Sequence, residues 1–318
     1  MTTICVVGAG FVGGSLAQVF AERGLSVVNY DKAGKCATGC IQPTWCNPRV
    51  GFKQPVTSID GVIKYCELQP NFSNVYFVCL PTPMFDDGEC DLSIVECVLR
   101  ELASVPGDRI AVVKSTVPPG STERWNREFE KTGLRVVFSP EFLREATALN
   151  DMRNQDRIIL GGPKKNVDVV KQVFQIAFPD VKIVKTSSTN AELTKYITNC
   201  FLAMKVSFAN EIYQVCEKLA QQGIDVDYDR TIECAKLDKR LGESHWSVPS
   251  FEKDTNGKPL FGYILSCFPK DVNALTFKAK ELGVKPTMLE ATWLKNLEVR
   301  PGMDWCQMKG RAVSEKKK

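Results

Sequence analysis

The chain has 318 residues, 44% hydrophobic and 25% charged, enough apolar material for about two packed domains without disulfide or metal staples. Its net charge of +4 is too small and too dispersed to argue for nucleic acid, and no apolar run approaches the ~20 residues of a membrane span. With His245 as the single histidine, nucleophile–histidine chemistry has one residue to draw on, and acid–base work falls to Glu, Asp, Lys or Cys.

The first segment, TICVVGAGFVGGSLAQVFAERGLSVVNYD (residues 3–31), reads as strand, glycine turn, helix, strand. Residues 4–7 form a short apolar run suited to a buried parallel strand. Gly8, Gly10 and Gly13 then give GxGxxG, spanning Phe11 and Val12, and Asp31 ends the second strand. The three glycines serve different ends. Gly8 makes the tight turn, Gly10 lets backbone approach a pyrophosphate at the helix N-terminus, and Gly13 lets helix and strand pack closely. An acid at Asp31 accepts hydrogen bonds from the adenosine ribose and repels a 2′-phosphate, which predicts NAD rather than NADP.

Thirteen cysteines with no secretion signal ahead of them predict reduced thiols in a cytoplasmic protein. Cys36, Cys40 and Cys46 lie close together, but the spacing is not a paired knuckle and no histidine is near, so no metal is expected.

Further strand runs follow at NVYFVCL (74–80), DRIAVVKST (108–116), LRVVFSP (134–140) and DRIILGG (156–162), with helical stretches such as LSIVECVLRELASV (92–105) between most of them. This alternation predicts an α/β fold, a Rossmann-type doubly wound parallel sheet. Ligands bind such sheets beyond the carboxyl ends of the strands. Thr82, Ser115, Thr116, Glu141 and Glu145 all stand just past such ends.

Residues 188–222 contain no Gly or Pro, and Leu193, Ile197, Phe201, Met204, Phe208, Ile212, Val215 and Leu219 recur at helical spacing before Gly223. One long helix is expected, suited to a domain bridge or a dimer core. Lys195 and Asn199, four apart, share one of its faces. The expected division is a nucleotide-binding domain over residues 1–187 and a helical dimerisation and substrate domain over 188–318. Within the latter, the turn-rich segment 249–262 precedes Cys267 and two more helical stretches.

Taken in order, GAGFVGG, LPTPMFDDGECDLS, STVPPGST, SPEFLREATALND, DRIILGG, AELTKYITNCFLAMKVSFANE, DKRLGESHW and CFPKDVNAL resemble the UDP-glucose/GDP-mannose dehydrogenase family, and within it the UDP-glucose 6-dehydrogenases. The resemblance runs through almost the whole chain. It implies oxidation of the sugar C6 alcohol to a carboxylate with two NAD in succession, through a thiohemiacetal and a thioester on a cysteine.

Carried over residue by residue, the resemblance makes Cys267 the nucleophile. Lys195 and Asn199 become the pair holding the C6 oxygen, and Asp271 the acid–base partner acting through lysine and water. Glu141 is the acid–base group of thioester hydrolysis, with Thr116 positioning the water. It places Thr82, Ser115, Thr116, Glu145 and Lys270 with Gly8, Gly10, Phe11, Val12, Gly13 and Asp31 in the NAD site. Glu141, Phe142, Leu143, Arg144, Phe261 and Gly262 follow the UDP-glucose substrate, and Arg240 reaches UDP across a homodimer interface.

Two departures stand out. The family pattern GFGGxC before the nucleophile is replaced by LFGYILSC, so Tyr263, Ile264 and Leu265 are expected to crowd a pocket otherwise lined by bare backbone. The chain also reads as a short form without the family's C-terminal nucleotide domain.

Overall fold

The computed structural model describes residues 1–46, 53–250, 253 and 257–318, and for residues 45, 46, 53 and 54 the backbone alone. Cys46 and residues 251, 252 and 254–256 of segment 249–262 therefore lie outside the described side chains. Two compact units emerge: Met1–Thr82 with Leu92–Lys195, and Pro83–Asp91 with Tyr196–Lys318.

In the first unit, strand β1 (Thr3–Val7) leads through the glycine turn into helix α1 (Phe11–Glu22) and β2 (Ser26–Tyr30). A small antiparallel hairpin, β3 (Thr44–Cys46) and β4 (Lys53–Pro55), precedes α2 (Ile59–Glu67) and β5 (Phe72–Val78). Then come α3 (Ser93–Ser104), β6 (Arg109–Val113), α4 (Ser121–Glu128) and β7 (Leu134–Phe138). A 3-10 turn (Glu145–Thr147) and α5 (Ala148–Arg153) lead to β8 (Arg157–Gly161), α6 (Lys164–Ala177) and β9 (Lys182–Thr186).

The main sheet has seven strands in the order β2-β1-β5-β6-β7-β8-β9. Strand residues alternate between its two faces, as a period of two requires. Cys5, Val7, Tyr76, Val78 and Val113 pack with α2, α3 and α4 on one face. Ile4, Val6, Phe77, Val112 and Val137 pack with α1, α5 and α6 on the other. Both faces are buried, so these strands read as continuous apolar runs.

The sheet departs from the all-parallel expectation at one seam, where β7 and β8 are antiparallel and meet at Phe138 and Gly161. The connection between them, residues 139–156, holds the 3-10 turn and α5, which packs against α1, with Arg153 paired to Glu22. Strand β9, parallel to β8, carries no period-two signal because it is a partly exposed edge, with Lys182, Val184 and Lys185 all exposed.

The second unit contains most of helix α7 (Ser188–Gln221), then α8 (Tyr228–Ala235), α9 (Cys267–Glu281) and α10 (Thr287–Val299). The long helix forms as the sequence requires, and Gly223 ends it at φ +78. Its apolar stripe faces the other way from a packed core, however. Ile197 and Phe201 are both 58% exposed, Phe208 53% and Val215 49%. Apart from Tyr196, the residues that α7 buries are mostly small or polar, among them Ala191, Glu192, Lys195, Asn199, Ala203, Ser207 and Asn210. Around Ala209 and Cys216 a small core collects Tyr228, Ile232, Trp246 and Val248.

Within the first unit α7 is pinned near its start. A Cβ on Gly161 would meet the Ala191 Cβ at 2.6 Å and the Ser187 carbonyl oxygen at 2.8 Å, so only glycine lets the helix seat against the end of β8. Glu192, fully buried, caps α4 by accepting from Gly120 N (2.7 Å) and Thr122 N (2.8 Å). Burial pushes its carboxyl above the ordinary range despite those donors.

The face around α1 and α6 depends on a ring cluster. Phe20 meets Phe77 and Phe174 edge-on at centroid distances of 5.2 and 5.4 Å. Phe174→Ala empties the centre of that cluster and is expected to cost about 3–5 kcal/mol, measured as a lower midpoint in urea unfolding.

Candidate active site

At the end of β1, a Cβ on Gly8 would stand 2.2 Å from the Cys79 carbonyl oxygen, and one on Gly13 would stand 2.2 Å from the Gly8 carbonyl oxygen. Those two glycines are demanded by packing alone. Gly10 is different, because a Cβ there would meet nothing within 4 Å. It precedes the first residue of α1, whose N-terminus has no side-chain cap. Open space at an uncapped helix N-terminus fits a pyrophosphate approaching the backbone. Asp31 closes the turn, its two carboxylate oxygens accepting from Ala9 N and Ala33 N, each at 2.8 Å. Each oxygen keeps a lone pair for a ribose hydroxyl. Phe11 and Val12 form the first turn of α1.

Beyond β5 and β6 the hydroxyls brace neighbouring loops. Ser115 Oγ donates to Leu80 O (2.6 Å) and accepts from Leu80 N (3.0 Å), and Thr82 Oγ1 donates to Thr116 O (2.7 Å). Thr82, Ser115 and Thr116 are all buried.

Glu141 follows β7 and is buried. Lys195 Nζ donates to its carbonyl oxygen at 2.6 Å and to Oε1 at 3.1 Å, while Oε2 accepts from Leu143 N at 2.7 Å. The same ammonium lies 5.5 Å from the Phe142 ring centroid. Arg144 is exposed and forks onto Asp151, and Glu145 opens the 3-10 turn.

In the second unit Cys267 is the first residue of α9. The positive end of a helix macrodipole favours a thiolate there. Four residues on, Asp271 is buried and doubly held: Lys270 Nζ donates to Oδ1 at 2.5 Å and Asn199 Nδ2 to Oδ2 at 2.6 Å. Burial works against the Lys270 ammonium, but the Asp271 carboxylate and the Cys267 and Cys90 thiols outweigh it and raise its pKa well above the usual lysine range. Lys270 therefore stays charged beside Cys267 at neutral pH. Two other thiols are silenced: burial pushes Cys79 up to about 12 and Cys200 higher still. Cys36 and Cys40 turn their thiols to backbone carbonyls.

The loop ahead of Cys267 takes its own path. Gly262 adopts φ +70, and a Cβ there would meet Asn296 Oδ1 at 2.3 Å. Asn296, fully buried on α10, accepts from Tyr263 N (2.8 Å) and donates to Tyr263 O (3.3 Å). Arg300 donates to Phe261 O at 2.7 Å. Tyr263 is consequently buried in the second unit, edge-on to Phe268, while Leu265 is exposed at φ +64. The expected crowding is thus relieved at Tyr263 by burial. No motif signals Asn296 or Arg300, although a polar side chain among the apolar positions of WLKNLEVR is the trace they leave. Arg240 is 88% exposed and forks onto Asp238, two residues away.

Residues 60–177 match the NAD-binding domain of the UDP-glucose/GDP-mannose dehydrogenase family, and residues 189–297 match the central domain of the same family. A curated UDP-glucose 6-dehydrogenase from Haloferax volcanii is 30% identical over 311 residues, which cover 91% of this chain and 68% of that one. The chain belongs to this family. Residues 3–46 also match the NAD-binding domain of 3-hydroxyacyl-CoA dehydrogenases. Among solved structures, a UDP-glucose dehydrogenase from Pyrobaculum islandicum superposes with a TM-score of 0.70 at 28% identity, covering 94% of this chain and 68% of that one. A GDP-mannose dehydrogenase from Pseudomonas aeruginosa gives 0.58 at 25% identity, covering 96% and 71%. The chain spans about two thirds of the length of the curated relatives it matches.

Asp271→Asn removes the carboxylate that offsets the mostly buried Lys270 ammonium and is expected to cost about 3 kcal/mol. The sign follows from Lys270: its folded-state pKa is raised, so the stabilisation is complete below the ordinary lysine pKa of ~10.4 and is lost only as pH rises through the folded value. The difference between wild type and variant in urea unfolding should stay constant between about pH 7 and pH 9.

Proposed function

We propose that this chain carries out the NAD-dependent four-electron oxidation of UDP-glucose to UDP-glucuronate. The observation that carries the reading is the first turn of α9, where Cys267 precedes a Lys270–Asp271–Asn199 cluster buried beside it. Two NAD, held in succession by the backbone at Gly10 and the Asp31 carboxylate, would supply the hydride acceptors, one for the alcohol and one for the thiohemiacetal. Lys195 and Asn199 hold the C6 oxygen and stabilise negative charge on it as its proton leaves. Cys267 attacks the aldehyde carbon as a thiolate, forming a C–S bond and an alkoxide oxygen. After the second hydride leaves, that carbon is a thioester.

Glu141 takes a proton from the water that attacks the thioester, with Thr116 orienting the water. The C–S bond breaks, carboxylate departs and the thiolate is regenerated. The C6 proton passes through lysine and water to Asp271, and the Lys270 ammonium keeps positive charge beside the sulfur. Ser115, Thr82 and Glu145 line the NAD site, and Phe142, Leu143, Arg144, Phe261 and Gly262 follow the sugar nucleotide. Arg240 is exposed enough to serve a site on a partner subunit.

The reading has an alternative in a related sugar nucleotide, a UDP-N-acetyl sugar or GDP-mannose, favoured by the altered loop at Tyr263–Leu265. Absorbance at the NADH band decides between them: two NADH per UDP-glucose are expected, and a panel of sugar nucleotides ranks the substrates. NAD binding without turnover on the whole panel would mark a non-catalytic NAD-binding protein instead. Cys267→Ala should lower the rate by at least ~10³-fold, as loss of a covalent nucleophile does in comparable enzymes.

The exposed Ile197, Phe201, Phe208 and Val215 stripe supports a homodimer through α7. Phe201→Glu is expected to convert a dimer to a monomer in sedimentation or light scattering, whereas an unchanged mass would argue against that face.

A further inference from the structure

Lys114 takes no part in the chemistry above, yet it stands among groups that do. It follows β6 and is buried, and its Nζ donates to Ser139 Oγ and to Pro140 O, both at 3.2 Å. Those acceptors immediately precede Glu141, whose carbonyl and carboxylate oxygens are held by Lys195. Two ammoniums, from two different elements, therefore hold three successive residues.

The titratable groups around Lys114 are Cys79 after β5, Glu141 after β7 and Lys195 on α7, and the Phe174 ring of α6 lies 5.7 Å away. Burial dominates and lowers its ammonium to about 8, while the Cys79 thiol and Glu141 carboxylate oppose the fall and Lys195 adds to it. A lysine in water titrates near ~10.4 and would keep its charge throughout the physiological range.

Resting on the reading of Glu141 as the acid–base group of thioester hydrolysis, we propose that Lys114 is a positioning residue. Its ammonium fixes the turn at residues 139–141 and so sets where the Glu141 carboxylate stands. When Lys114 discharges, its hydrogen bonds to Ser139 and Pro140 lose their charge assistance, and Glu141 is held less firmly in place. The hydrolytic step then acquires a pH dependence from a side chain that touches neither substrate nor cofactor. A lysine serving only to fill space would impose none.

The test uses Lys114→Met in the full chain, which keeps the stem and removes the charge. Turnover on the best sugar nucleotide should fall about 10- to 100-fold, the scale of a misplaced catalytic group. KM for NAD should stay within about twofold, and the wild-type inflection near pH 8 should vanish. A variant profile that superposes on wild type between about pH 6.5 and 9.5 overturns the proposal.

A second measurement needs neither turnover nor a stable Met variant. Lysine Cε signals in the wild-type protein, with Lys114 assigned by its loss in Lys114→Arg, should include one that titrates near pH 8. Glu141→Gln should move that titration lower, because the carboxylate that supports the ammonium is gone. A Lys114 signal that titrates with the surface lysines, or that ignores Glu141→Gln, overturns the coupling. Wild-type protein that turns over no sugar nucleotide while these titrations behave as expected would defeat the reading of function and leave the coupling standing.

Discussion

The first unit depends on a close approach of bare backbone. Gly8 and Gly13 bring β1, α1 and the Cys79 end of β5 within distances that no Cβ permits. The sheet reverses its winding between β1 and β5, since β2 lies to one side of β1 and β5 to the other. This is the switch point where an open α/β sheet leaves a crevice at its carboxyl ends. Everything of chemical interest in this unit, from Thr82 and Lys114 to Glu141, follows the carboxyl end of a strand on that same edge. Packing and binding thus draw on the same glycines, and Gly10 alone is spared the packing role.

Each unit solves the problem of a buried carboxylate in the same way. Glu141 is paired with Lys195 and also receives a backbone N–H, and Asp271 is paired with Lys270 and receives an Asn199 amide. A buried charge without such partners costs several kcal/mol, so the ion pairs are conditions for having carboxylates there at all. Low-dielectric surroundings then let each charge act strongly on its neighbours. Helix α7 supplies one partner to each carboxylate, Lys195 and Asn199, one turn apart.

Much of this was legible in the sequence where local chemistry decides the outcome. GxGxxG between a strand and a helix, four apolar strand runs and an uninterrupted 34-residue helix are dictated by backbone geometry and periodicity. What the residues alone conceal is set by tertiary partners. The apolar period of α7 is genuine, but a period does not say which face meets its own chain, and here the chain takes the polar side. Strand β9 is an edge with charged residues on it, so alternation is lost. The loop before Cys267 reads as crowded from its missing glycines, because the residue that draws it inward, Asn296, lies 33 residues beyond Tyr263.

The anchoring of α7 carries a consequence for how the chain tolerates insertions and deletions. Glu192 and Lys195 are each matched to a single partner, at Gly120–Thr122 and Glu141, and Gly161 admits the helix at one spot. Adding one residue inside α7, between Ala191 and Glu192, would turn everything after it by ~100° relative to the seat of Ala191 on Gly161, swinging the capping carboxylate and the ammonium off their partners together. The spacing from Ala191 to Lys195 is therefore a reading frame in its own right. Substitutions along that stretch alter single contacts, whereas a change in its length mistunes every one.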